Sequence, residues 1–73
     1  MERRDSDYME DNIRKMVIAT RDNRKDLRRA QKECNAMEEA YCLGYDAAML
    51  FSFWQMGIDC KEVERMIKEI EKQ

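Results

Sequence analysis

A four–three alternation of core-type residues runs without a break from Met9 to Phe51. Its members are Met9, Ile13, Met16, Thr20, Asn23, Leu27, Ala30, Cys34, Met37, Tyr41, Gly44, Ala48 and Phe51. Steps of four and three are the signature of a helix that lays one seam against another helix. No proline interrupts the run. The pattern predicts one continuous helix over about 6–56, roughly 75 Å long at about 1.5 Å per residue. A chain of 73 residues cannot cover such a seam by itself, so the seam calls for a second chain. The expected interface residues are Ile13, Met16, Leu27, Cys34, Met37, Tyr41, Gly44, Ala48 and Phe51. The expected fold class is all-α: one long coiled-coil-like helix plus a short C-terminal helix folded back as a hairpin, assembled into an oligomer, most simply a dimer.

The turn of that hairpin is well marked. Gly57 suits the left-handed residue that ends a helix, and Ile58 then meets Phe53 as in a Schellman motif. Asp59 and Glu62 form a capping box, and Ile58 with Val63 a hydrophobic staple. The second helix, Cys60 to about Lys72, presents Cys60, Val63, Met66, Ile67 and Ile70 on one side. It is expected to cover a second stripe on the first helix, namely Ala40, Leu43, Ala47, Leu50 and Trp54. At the other end, Met1 to Asp5 is expected to fray. Ser6 or Asp7 can cap the helix, with Asp7–Glu10 as a capping box and with Glu10–Arg14 and Asp11–Lys15 as favourable pairs. The whole is one domain over 1–73.

A domain this small usually needs a staple or a partner. Three cysteines, Cys34, Cys42 and Cys60, leave one unpaired in any disulfide scheme. The charged start lacks a signal segment, which favours a reducing cytoplasm. Zinc is disfavoured by the absence of histidine and of a close cysteine pair. Self-association remains as the staple. The small residues Ala36, Ala40, Gly44 and Ala48 recur every four positions, a spacing that lets helix backbones approach closely. Asn23 and Thr20 interrupt the apolar seam, either fixing register in a buried contact or marking a solvated stretch.

Charge is distributed unevenly around a net −2. Arg14 to Lys32 is strongly basic, and both flanks are acidic. Arg21–Lys25–Arg29 and Arg24–Arg28–Lys32 place like charges at i,i+4, each contact opposing the helix by a few tenths of a kcal/mol. That crowding implies something negative opposite. The partner-binding residues read from it are Arg21, Arg24, Lys25, Arg28, Arg29 and Lys32, facing an acidic protein surface or a neighbouring subunit. Nucleic acid is the second reading, disfavoured by the acidic balance and by the lack of interleaved aromatics.

Catalysis and membrane insertion are not expected. Histidine-dependent nucleophile systems are absent, as is a glycine-rich phosphate loop. No cofactor is implied. The run from Tyr41 to Ile58 is short for a span and contains Asp46. Asp46 lies opposite the first seam, where it can be exposed.

The segment Glu38-Glu39-Ala40-Tyr41-Cys42-Leu43-Gly44-Tyr45-Asp46-Ala47-Ala48-Met49-Leu50 resembles small uncharacterised helical proteins of Gram-positive bacteria and their phages. In these, an aromatic, a glycine and small residues recur just before a helix ends. The resemblance implies a phage or mobile-element accessory protein that works by binding one host protein, inhibition of a bacterial immune nuclease being one such role. A nucleic-acid-associated regulator and a structural adaptor are the alternatives.

Overall fold

In the computed structural model the chain forms three helices: α1 (Glu2–Lys32), α2 (Ala36–Gln55) and α3 (Cys60–Glu71). The structure describes the backbone of residues 2–72 and the side chains of residues 11–72. The expected caps at Ser6 and Asp7, the Asp7–Glu10 box, the Glu10–Arg14 pair and the seam position Met9 therefore involve side chains outside the described residues.

The long helix over 6–56 does not exist, and with it go the coiled-coil seam and the two-helix hairpin. The protein is a compact three-helix bundle. The chain breaks at Glu33–Cys34–Asn35, where Cys34 adopts φ +56°. The amide of Asn35 donates to the Ala30 carbonyl at 2.9 Å, and that of Cys34 to the Gln31 carbonyl at 3.3 Å. These two bonds are the 6→1 and 5→2 bonds of a Schellman motif. The next helix starts at once, because the Asn35 side chain accepts from the Glu38 amide at 3.1 Å. Its Nδ2 in turn donates to the Glu38 carboxylate at 3.2 Å. Asn35-x-x-Glu38 thus caps α2 in the manner of Asp59-x-x-Glu62 on α3, where the Asp59 carboxylate accepts from the Glu62 amide at 2.9 Å. Gly57, at φ +83°, ends α2 with the same motif. Ile58 donates to the Phe53 carbonyl and Gly57 to the Trp54 carbonyl, both at 2.9 Å.

The break lets α2 double back along α1. Positions that rise along α2 meet positions that fall along α1. Arg29 reaches Glu38, Arg24 reaches Asp46, and Val17 lies with Phe53, while Asn23 reaches Cys42, between Glu38 and Asp46 on α2. Further on, Val17 and Phe53 share the core with Val63 and Ile67 of α3. Ile13, Met16, Met49, Leu50, Ile58, Met66 and Ile70 pack around this cluster. Val17, Phe53 and Val63 are fully buried, each contributing about 1.5–3 kcal/mol relative to exposure.

Most of the α1 half of the predicted seam is therefore consumed inside the chain. Thr20, Asn23 and Ala30 are buried, and Ile13 and Met16 flank the core. Both buried polar groups are satisfied. Thr20 Oγ1 donates to the Met16 carbonyl at 2.8 Å, and Asn23 Nδ2 donates to the Cys42 carbonyl at 2.9 Å. The second stripe is corrected as well. α3 does not cover Leu43 or Trp54, which are 50% and 67% exposed. The inward side of α2 is Cys42, Met49, Leu50 and Phe53.

Candidate interaction surfaces

α2 is apolar nearly all the way round, and only part of it is used by the bundle. Its three carboxylates all point toward α1. Glu38 lies 3.6 Å from Arg29. Glu39 accepts from Gln31 at 3.2 Å. Asp46 pairs with Arg24 at 3.0 Å. The outer arc of α2 is left without a charge. It carries Met37 (86% exposed), Tyr41 (71%), Phe51 (57%) and Trp54 with Leu43 at its edge. Phe51 and Trp54 stack with ring centroids 6.2 Å apart. Between these large side chains lie the exposed small residues Ala40, Gly44, Ala47 and Ala48. A Cβ built on Gly44 meets nothing within 4 Å. Nothing among the described residues accounts for a mid-helix glycine that costs about 1 kcal/mol relative to alanine.

The predicted interface residues are thus divided by the turn. Met37, Tyr41, Gly44, Ala48 and Phe51 stand together on the free face of α2, whereas Ile13 and Met16 pack against the core and Leu27 is half-buried. Cys34 is in the turn, exposed, and belongs to neither group.

The basic residues are divided too. Arg24 is structural. Its Nε donates to Asp46 at 3.0 Å and its guanidinium also pairs with Glu64 of α3, tying all three helices together. Burial alone would lower its pKa, but the hydrogen bonds and charges of Glu64 and Asp46 outweigh that and push it up. Arg21 pairs with Asp22 at 3.1 Å, and Arg29 with Asp26 at 3.2 Å. Lys25, Arg28 and Lys32 make no ion pair among the described residues. Together with Arg29 they line a shallow groove of about 360 Å³. Of the six-residue belt, the charge left unpaired among the described residues is therefore this one edge of α1.

An apolar cleft of about 360 Å³ also lies between α1 and α3, lined by Ile13, Val17, Ile58, Met66 and Ile70 with Arg14, Glu62 and Glu69. The three thiols are free, and only Cys42 is buried. Burial, followed by the nearby charges of Glu38 and Asp26, pushes the Cys42 thiol pKa up. Among the described residues, no three His, Cys, Asp or Glu side chains are grouped to hold a metal ion, and no helix is long and apolar enough to cross a membrane.

The inward stripe of α2 was missed in the sequence because every face of that helix reads as apolar. The discriminating signal was charge: Glu38 and Asp46 mark the side that meets Arg29 and Arg24 of α1. No family model, curated protein or solved structure matches the chain.

Proposed function

We propose that this chain works by protein–protein contact rather than catalysis, and that its contact surface is the uncharged outer face of α2. The observation that carries this reading is the exposure of Met37, Tyr41, Phe51 and Trp54 on one side of one helix. Contiguous apolar patches on ordinary monomers reach about 300–600 Å². With aromatic and large apolar side chains contributing about 150–250 Å² each when fully exposed, the five on this face, Met37, Tyr41, Leu43, Phe51 and Trp54, present on the order of 650 Å². The engagement of Asp59 and Asn35 as helix caps and of Asp46 in an ion pair supports structural rather than chemical roles for these groups.

A second contact is supported by the edge of Lys25, Arg28 and Lys32, which make no ion pair among the described residues and whose chemistry suits an acidic protein surface. The resemblance of the Glu38–Leu50 segment adds the expectation that such a surface belongs to a host protein.

A photo-reactive phenylalanine analogue in place of Tyr41 tests the main reading in cells producing the chain. It should capture protein neighbours, whereas the same analogue in place of Lys61 on α3 should not. Equal background yields at the two positions would remove the reading.

A further inference from the structure

Resting on that reading, we infer that the occupant of the α2 face is a second copy of this chain, with the two α2 helices crossing at Gly44 and Ala48 about a two-fold axis. Four observations converge on this. First, Gly44 has open space where a Cβ would stand, and Ala40, Ala47 and Ala48 beside it are exposed. Small side chains at a crossing let two helix backbones come close, while the flanking Tyr41 and Phe51 fill the grooves on either side. Second, a two-fold contact sets a surface against itself, so like charges on it would repel. The face of α2 has none, because Glu38, Glu39 and Asp46 are all engaged toward α1.

Third, the exposed large side chains of this face present on the order of 650 Å², within the roughly 600–1,000 Å² that each partner contributes to a stable interface. Fourth, the bundle's own core is thin. Among the described residues only Val17, Ala30, Cys42, Phe53, Val63 and Ile67 are buried apolar residues, and domains of this length commonly gain a core by association. An acidic or basic partner would find no counter-charge on this face.

Sedimentation equilibrium of the whole chain from about 1 to about 200 µM spans the range in which interfaces of this size associate. The expected mass at the upper end is twice the 8.8 kDa of one chain. Ala48→Glu should return the protein to monomer, because it sets two carboxylates against each other across the axis. Gly44→Leu should weaken association at least tenfold by holding the helices apart. Both positions are exposed, and a Cβ at Gly44 meets nothing within 4 Å, so circular dichroism should show both variants folded. A Gly44→Leu variant that fails to fold leaves Ala48→Glu to decide.

A wild-type chain that stays monomeric throughout, or a folded Ala48→Glu variant that dimerises as wild type does, would overturn the inference. The Tyr41 cross-link separates this failure from failure of the broader reading. An adduct of doubled mass supports the second copy. Adducts of other masses alone overturn the second copy and leave the α2 contact standing. No adduct above the Lys61 background overturns both.

Discussion

Replacing Cys34 by glycine and by alanine gives opposite orders of stability for a broken and an unbroken helix. In the structure Cys34 sits at φ +56° with its side chain exposed, so neither change removes packing. A residue with a Cβ in the left-handed region carries about 1–2 kcal/mol of strain that glycine does not. Glycine gives back about 0.4–1 kcal/mol through its freer unfolded chain. The net expectation is that Cys34→Gly is more stable than Cys34→Ala by about 0.5–1 kcal/mol. A domain of this size shifts in melting temperature by about 4–8 °C per kcal/mol, so the difference amounts to several degrees. If residues 6–56 formed one helix, Cys34 would be an interior position, and alanine would win by about 1 kcal/mol. The assay is thermal and urea denaturation of both variants at one fixed protein concentration, since any self-association makes the midpoint concentration-dependent. Alanine more stable than glycine would refute the turn and restore the continuous helix.

Other perturbations probe the contacts that hold α2 and α3 onto α1. Arg24→Met leaves the half-buried Asp46 without its partner and releases Glu64. A loss of about 1–3 kcal/mol is expected, between exposed and fully buried pairs, and Asp46→Leu added to it should recover part of the loss. Urea midpoints unchanged by Arg24→Met would show that the ion pair does not join the helices. Asn23→Asp exchanges the donor for an acceptor against the Cys42 carbonyl, so it should destabilise by more than the roughly 0.5–1.5 kcal/mol of the lost bond. A neutral effect would place Asn23 in solvent. A thiol reagent at neutral pH should label Cys34 and Cys60 quickly and Cys42 only as the protein opens, because Cys42 is buried and its thiolate is disfavoured. Three equal rates would contradict its burial. Lys25→Glu combined with Arg28→Glu should leave the melting temperature within a few degrees, since neither residue makes an ion pair among the described residues. A large drop would mean that this edge is part of the fold.

Helical character throughout is local information, and the sequence carries it without ambiguity. Proline is absent, apolar residues recur at three and four, and the stop signal Gly57-Ile58-Asp59-x-x-Glu62 uses side chains a few positions apart. The break at Cys34 was also legible in part. Asn35-x-x-Glu38 is the same kind of capping signal as Asp59-x-x-Glu62. It was overridden by a seam that continues in phase across it, and cysteine is not a residue that announces a left-handed turn.

The phase itself has a physical explanation. Met37, Tyr41, Gly44, Ala48 and Phe51 do form one helical stripe, but on α2 that stripe faces outward. A helix that is apolar on every side satisfies several periodic templates at once, so periodicity alone cannot say which face is inside. Tertiary structure decided that through charge and fit. Arg24 and Arg29 of α1 draw Asp46 and Glu38 of α2, which turns Cys42 and Phe53 inward. The same pairing removes Arg24 and Arg29 from any available basic surface. Which charges are free, and which apolar face is bare, depend on residues 9 to 40 positions apart in the chain, and only folding brings those together.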